Sequence, residues 1–245
     1  MKANPKTAAL IASAPVVRNA FDRARTAARD TAARLPRNSG PLDKSHLAGV
    51  RPTALLVDGS QAKAARRAGR LLRMPRTIDD TAAWAALGAL AALVRVVDDG
   101  RHRSVVVDAA GPRSVFTRWA SRAGFAPLSL NVMRADVVGT DLDPGTVDMV
   151  VRLHPHSATP DTIDLDLAHG SAALRHGGLI SLTARLGPAD EGSFSVADLR
   201  GVIARADEQG LGLIGDVGLV EGQLARRIAD SGASYGLALL TFRRR

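Results

Sequence analysis

The feature that most constrains the fold is an alternation of short apolar runs and helical stretches, which starts at Ser104 and continues to the last residues of the chain. The runs that predict β-strands cover residues 104–107, 128–133, 147–153, 179–184, 211–217 and 236–242. The stretches that predict helices between them cover residues 114–123, 159–174, 195–209 and 223–229. Strands that alternate with helices are typical of an α/β fold, in which helices cover both faces of a largely parallel sheet.

Two of these helices carry clear start signals. Thr159, Pro160 and Asp161 fit the N-cap and the first two helical positions, because proline at the first position loses no hydrogen bond. Ser195 and Asp198 have the spacing of a capping box. We therefore expect helices to begin directly after Thr159 and Ser195.

The chain before Ser104 has a different pattern and divides into two segments. Residues 1–50 contain Ala-Arg repeats and are predicted to be a basic tail that is partly helical or disordered. Residues 51–103 are predicted to be a mainly helical lead-in or cap, and residues 104–245 form the predicted α/β core. Two helices are expected in the lead-in. The first covers residues 61–74 and has Ser60 as its N-cap, and the second covers residues 82–97.

Positive charge is concentrated before Ser104. Residues 1–103 hold 19 basic and 8 acidic residues, residues 104–245 hold 14 basic and 16 acidic residues, and the net charge is +9. A polyanionic partner, either nucleic acid or an anionic surface, is therefore expected to bind through residues 1–103. An aromatic content of 3% argues against a surface for single-stranded nucleic acid, which stacks bases on aromatic rings. The alternative is a solvated basic helix without a partner.

The composition excludes several classes of site. The chain has no cysteine, so disulfides, thiolate metal sites and cysteine nucleophiles are ruled out. The apolar run at residues 82–94 is shorter than the roughly 20 residues that cross a bilayer, and we expect a buried helix there. We predict a soluble, cytoplasmic protein without a transmembrane segment, and the preference for arginine over lysine favours a bacterial source.

A series of short motifs follows the order found in one known family. Val105-Val106-Val107-Asp108 predicts a strand that ends in a carboxylate, and Ala109-Ala110-Gly111 follows it as a glycine-containing loop. The later motifs are Asp141-Leu142-Asp143, the strand start Thr146-Val147-Asp148-Met149-Val150-Val151, the turn Leu174-Arg175-His176-Gly177-Gly178 and a final strand pair at 210–217 and 235–243. Together they resemble the class I S-adenosylmethionine-dependent methyltransferases. The resemblance implies a Rossmann-like, seven-stranded, mostly parallel sheet between helices, with a helical N-terminal extension.

The resemblance also implies S-adenosylmethionine as cofactor. The implied cofactor-binding residues are Asp108, Ala109, Ala110 and Gly111 near the methionine part, Asn131 near the ribose, and Asp141 and Leu142 near the adenine. A glycine suits such a loop because the backbone must approach the ligand closely. In open α/β sheets ligands bind beyond the carboxyl ends of the strands, which is where this loop is expected.

Two histidines follow the strand at 147–153, on the side where the family binds the methyl acceptor. His154 and His156 are two residues apart, so they share a face in an extended segment. Either imidazole can accept a proton from an acceptor hydroxyl or amine, and both are predicted as catalytic residues. The alternative is a polar strand end. A metal site is not predicted, because zinc needs three or four protein ligands and no third ligand has a convincing spacing.

Departures from the family pattern leave a second function open. Only Gly111 remains of the family's glycine-rich loop, and residues 130–133 contain no carboxylate for the ribose hydroxyls. Asp108 has an alternative role as a carboxylate that bonds its own loop. The sequence favours a methyltransferase acting on an unknown small-molecule or glycan-like acceptor. The alternative is a non-catalytic methyltransferase-like protein that serves in binding or assembly.

Overall fold

The fold was obtained as a computed structural model, which describes residues 42–96, 104–131, 142–154, 159–187, 193–218, 222–224, 227 and 236–245. In chain order the elements are a 3-10 helix (Lys44–Leu47), β1 (Ala54–Leu56), α1 (Gly59–Leu71), α2 (Asp80–Val96), β2 (Val106–Asp108), α3 (Val115–Arg122), β3 (Val147–Arg152), α4 (Pro160–Ala173), β4 (Leu174–Arg185), α5 (Val196–Glu208), β5 (Leu211–Leu213) and β6 (Leu237–Arg244).

All six strands of the described residues form one sheet. Its order is β1-β6-β4-β3-β2, and β5 also pairs with β6. The pairs β2–β3 and β3–β4 are parallel, whereas β6 is antiparallel to each of its three neighbours. Five strands therefore run in one direction and only β6 opposes them. This confirms the Rossmann-like, mostly parallel sheet expected from the sequence, with six strands in the described part where seven were expected.

The strand expected at residues 128–133 is represented by a single bridge. Leu128 pairs in parallel with Val107, its N–H donates to Val106 O (2.7 Å) and its carbonyl accepts from Asp108 N (2.9 Å). The chain therefore does pass along the free edge of β2 at this point. Residues 132 and 133 lie outside the described part of the chain.

The opposite edge of the sheet is shared by two short strands. β5 pairs with the last residues of β6, at Phe242 to Arg244, and β1 pairs with its first residues, at Leu237 to Leu239. Thr241 lies between the two, where its N–H donates to Thr53 Oγ1 (3.1 Å) and its Oγ1 donates to Pro52 O (2.7 Å). The segment before α1 thus belongs to the sheet.

Helices cover both faces, as expected. The face that carries Val106, Met149 and Leu179 packs against α1, α2 and α3, and the other face packs against α4 and α5. α2 is the central helix of its layer, and its eleven residues that are buried include Leu87, Leu90, Leu93 and many alanines. Small side chains let the sheet and the two flanking helices approach α2 from three sides.

Local hydrogen bonds explain where the helices begin. Thr159 and Ser195 cap α4 and α5 in capping boxes, which confirms both predictions. The cap predicted for α1 was wrong by two residues. Asp58 is the N-cap and accepts from Ser60 N (2.7 Å), while the hydroxyl of Ser60 also donates to Asp58. Asp58 is the better cap because its carboxylate accepts hydrogen bonds from both the N–H and the hydroxyl of Ser60. Its negative charge is also stabilised by the positive end of the helix dipole.

The division of the chain into a tail, a lead-in and a core stays a prediction. Within the described residues, the lead-in supplies β1 to the sheet and α1 and α2 to one helical layer. At α2, Gly88 packs so closely on the sheet that an added Cβ would lie 2.3 Å from Leu239 Cδ2.

Candidate functional site

A crevice is expected where the connections from two neighbouring strands diverge. After β2 the chain passes through α3 to Leu128, on the free edge of β2. After β3 it passes through α4, on the other face, and enters β4 on the far side of β3. In an open α/β sheet, ligands bind beyond the carboxyl ends of the strands at such a reversal. The crevice between the loops that follow Asp108 and Arg152 is therefore the candidate site.

Asp108 ends β2 and forms the base of the first loop. Its side chain is buried, with 1% exposure. One carboxylate oxygen accepts from Ala110 N (2.9 Å), and the other accepts from Thr117 Oγ1 (2.8 Å) and from the hydroxyl of Ser114. Ser114 Oγ in turn accepts from Thr117 N (2.8 Å) and caps α3. The carboxylate therefore ties the loop to the start of α3.

The backbone of the loop is also held from within the protein. Ala109 N donates to Val151 O on β3 (2.9 Å), and Gly111 N donates to Asp108 O (3.3 Å). Gly111 has a φ of +91°, which a side chain rarely adopts, and no atom lies within 4 Å of the position where a Cβ would be. The loop is thus a fixed floor with open space above Gly111.

The two residues after the loop do not fill the crevice. Pro112 and Arg113 are both exposed to solvent. Because both side chains face solvent, access to the loop remains open.

The other predicted cofactor residues are spread more widely. Asn131 is exposed and lies three residues after Leu128, just beyond the bridge to β2. Leu142 is 1% exposed and packs in the hydrophobic cluster beneath α4 and α5, so its side chain is a core side chain. Only the backbone of Leu142 is therefore available to contact an adenine. Asp141 and His156 lie outside the described residues.

His154 lies at the second loop, two residues after β3. Its φ of +53° is uncommon for a residue with a side chain, and its N–H donates to Thr183 Oγ1 on β4 (2.6 Å). His154 is partly exposed to solvent. Burial by nearby protein atoms nevertheless lowers the pKa of its imidazole below the ordinary value, and the negative charge of Asp79 opposes that shift. The ring is therefore neutral at pH 7 and able to accept a proton.

The charge that acts on His154 belongs to Asp79, which lies in a segment that the sequence analysis did not connect with the site. Residues 75–79 join α1 to α2, and two side chains of α3 hold them. Trp119 Nε1 donates to Pro75 O (2.9 Å), and Arg118 Nη1 donates to Arg76 O (3.1 Å). Asp79 caps α2, because its carboxylate accepts a hydrogen bond from Ala82 N (2.9 Å). From this position its negative charge acts on His154.

An ion pair borders the crevice on the opposite face of the sheet. Arg152, the last residue of β3, bonds one carboxylate oxygen of Asp166 on α4. The other oxygen of Asp166 is buried without a hydrogen-bond partner. Burial raises the pKa of Asp166 to about 6, although Arg152 and His169 both lower it. No feature of the sequence distinguished this carboxylate from its neighbours on α4, Asp161 and Asp164.

A cavity of about 500 Å³ lies elsewhere on the same edge of the sheet, between α5 and the segment after β5. Its walls include Leu199, Ile203, Leu213 and Val217, with Arg200 and Asp216 as its charged residues. β5 is four strand positions from β2, roughly 19 Å at the usual spacing of strands. The cavity is therefore separate from the crevice.

In the described ranges, no three His, Asp or Glu side chains come together as metal ligands. None of the helices found there combines the length and the apolar character needed to cross a membrane.

Several solved structures are similar to this chain. One is an S-adenosylmethionine-dependent methyltransferase from Mesorhizobium loti, with 14% identity, a TM-score of 0.40 and coverage of 65% of this chain and 98% of that chain. Another is the carbon methyltransferase CurJ, with 11% identity, a TM-score of 0.43 and coverage of 99% and 72%. A third is the 1,6-didemethyltoxoflavin N1-methyltransferase from Burkholderia thailandensis, with 18% identity, a TM-score of 0.36 and coverage of 100% and 91%.

Each of these three proteins is described as a methyltransferase. No family model and no curated protein matches the chain.

Proposed function

We propose that the protein is an S-adenosylmethionine-dependent methyltransferase whose cofactor binds in the crevice between β2 and β3. The observation that carries this proposal is the loop at residues 108–111, which lies at the reversal of strand order with open space above Gly111. The order of motifs along the sequence supports the same cofactor.

The residues present fit the cofactor in a particular way. The carboxylate of Asp108 and the N–H groups of Ala109, Ala110 and Gly111 already have partners within the protein. They would support the methionine part by shape, as a rigid floor, rather than by direct polar contacts. Asn131 is exposed beyond the next strand position and would reach a ribose hydroxyl.

The chemistry requires positioning and a proton acceptor. When bound, S-adenosylmethionine supplies a methyl group on a positively charged sulfur, and positioning in line with the acceptor accounts for most of the acceleration. His154 has the right protonation state for the second task, because burial lowers the pKa of its ring. The neutral imidazole of His154 would accept the proton that the acceptor hydroxyl or amine releases.

A small molecule is the acceptor that suits this site. The segment at residues 75–79 is fastened to α3, its last residue Asp79 acts electrostatically on His154, and burial lowers the pKa of the imidazole. A macromolecular surface would need a wider approach to the same ring. His156, which is also a candidate proton acceptor, stays a prediction from the sequence.

The decisive experiment is calorimetry with S-adenosylhomocysteine, using two matched glycine variants. Gly111 and Gly210 both have a positive φ, +91° and +79°, and neither has an atom within 4 Å of an added Cβ. Gly111→Ala and Gly210→Ala should therefore lose similar stability, about 1 kcal/mol each. Only Gly111→Ala should weaken ligand binding, because only its methyl group enters the crevice. Absence of heat with the wild type, or equal binding by the two variants, contradicts the proposal.

A second function, a methyltransferase-like binding protein without catalysis, is favoured by one observation. The polar groups of the loop are already bonded within the protein, and Asn131 stands where the family has a carboxylate. This function predicts no heat with S-adenosylhomocysteine and no methyl transfer to any component of a cell lysate. Methyl transfer that is lost in His154→Ala would exclude it.

A further inference from the structure

The edge of the sheet opposite the crevice carries a group of arginines that the proposed function does not use. β4 begins there and β6, which is antiparallel, ends there, with Leu179 paired to Arg243. We call this the amino edge, after the amino ends of β3 and β4. Its cations are Arg175 at the start of β4 and Arg243, Arg244 and Arg245 at the end of the chain.

Two of these guanidinium groups converge on one point. A methyl group placed on Gly177 would lie 3.4 Å from Arg243 Nη2 and 3.7 Å from Arg175 Nη1. Both guanidinium groups therefore border the same point, where an anion would be attracted to both of them. The absent side chain of Gly177 leaves that point accessible.

Arg175 is held in position from below. Its Nε donates to Asp148 Oδ1 (2.5 Å), and its Nη1 donates to His176 O (3.1 Å). Asp148 uses its second oxygen to accept from Val105 N (2.8 Å), which fixes the carboxylate to the start of the strand β2. Asp148 thus acts as a positioning residue for Arg175.

Arg243 is the cation without compensation. Its backbone belongs to the sheet, but its side chain is exposed and forms no hydrogen bond or ion pair within the described part of the chain. The adjacent arginines are engaged elsewhere. Arg244 donates to Ser171 O (3.0 Å) and to the carbonyl of Leu174 at the end of α4, and Arg245 pairs with Asp207. Asp148 and Asp207 are therefore engaged by Arg175 and Arg245, and the exposed side chain of Arg243 is accessible to an external anion.

We propose that Arg175 and Arg243 form a phosphate-binding site at the amino edge. Guanidinium groups offer parallel N–H donors that match the oxygens of a phosphate, and they bind it better than a single point charge does. The site faces open solvent, so its phosphate can be a free ion or one group of a phosphodiester chain. It is separate from the crevice and does not depend on methyl transfer.

The test is titration of the full chain with inorganic phosphate in a chloride buffer, followed by NMR of the arginine Nε–H groups and by calorimetry. The Arg175 and Arg243 signals should shift together. Arg243→Gln should weaken binding about tenfold or more, because it removes a charged donor. Arg185→Gln is the matched control, since Arg185 is exposed at the other end of the same strand, β4. It should bind phosphate like the wild type.

A second titration with a short duplex RNA identifies the source of the phosphate. If the site binds a phosphodiester backbone, Arg243→Gln should lower the slope of log K against log salt by about one, whereas Arg185→Gln should not. If only inorganic phosphate depends on Arg243, the site takes a free ion. Thermal unfolding should first show that the Arg243→Gln and Arg185→Gln variants are both folded. If the two variants then bind phosphate with equal affinity, the proposed phosphate site is wrong.

Discussion

At the scale of single residues, Gly178 shows how closely the backbone packs where β4 begins. A Cβ at this position would lie 2.9 Å from Arg175 O, 3.0 Å from Val147 O and 3.2 Å from Leu174 Cδ2. Two of these atoms belong to the backbone of paired strands and cannot move aside. The second glycine of the turn at 174–178 is thus a packing requirement of the β3–β4 pair.

Gly178→Ala should accordingly lower the free energy of unfolding by about 1–3 kcal/mol, the usual cost of forcing an extra methyl group into a packed site. Urea denaturation measures it. Gly49→Ala is the matched control, because nothing lies within 4 Å of a Cβ at Gly49 and its φ is ordinary. That variant should keep or slightly raise the stability, since alanine restricts the unfolded chain. Similar losses in the two variants would contradict the packing argument.

Asp166 makes a prediction about pH. Its pKa of about 6 in the folded protein lies above the ordinary 3.8, so the folded state holds the proton more tightly than the unfolded state does. Stability is then lost as the pH rises from about 4 to about 6, and the loss is complete above that range. The unfolding free energy of the wild type minus that of Asp166→Asn should therefore fall over this interval, by up to about 3 kcal/mol, and stay level above pH 7.

The comparison of the two proteins isolates Asp166. His154, whose lowered pKa acts near the same pH, is present in both and cancels from the difference. Thermal or urea unfolding at a series of pH values gives the curve. A difference that is flat from pH 4 to 7, or that rises with pH, would show that Arg152 holds the carboxylate ionised.

At the scale of elements, the sequence predicted well what depends on neighbours along the chain. Apolar runs and caps located α2, α4 and α5 and the central strands within a few residues. The strand β1 was not predicted, because three residues carry no periodicity and its pairing with β6 joins positions almost two hundred residues apart. The electrostatic effect of Asp79 on His154 was missed for the same reason.

The stability of two variants decides whether Asp58 or Ser60 is the N-cap of α1. Asp58→Ala should cost about 1 kcal/mol of stability, since it removes the acceptor of Ser60 N. Ser60→Ala should cost less, because the carboxylate keeps its bond to the backbone. Denaturation of both variants at neutral pH gives the order, and a larger loss in Ser60→Ala would restore the cap expected from the sequence.

At the scale of the whole molecule, the two helical layers depend on the sheet differently. The layer of α4 and α5 is supplied by crossovers between consecutive strands, so any chain that contains the sheet contains it. The layer of α1, α2 and α3 takes two of its three helices from residues before β2. One face of the sheet is therefore covered largely by a segment that the motif order alone would treat as an extension.

This arrangement predicts that a chain shortened to residues 104–245 does not fold alone. It would lose β1 and the eleven buried residues of α2, and it would expose Met149, Val151 and Leu179 to water. At about 25 cal/mol per Å² of apolar surface, uncovering such a face outweighs the 5–15 kcal/mol that stabilises an ordinary domain. A chain of residues 42–245 retains every described contact and should unfold in one cooperative transition. Calorimetric unfolding distinguishes them: a cooperative transition in the shorter chain would establish residues 104–245 as an independent core.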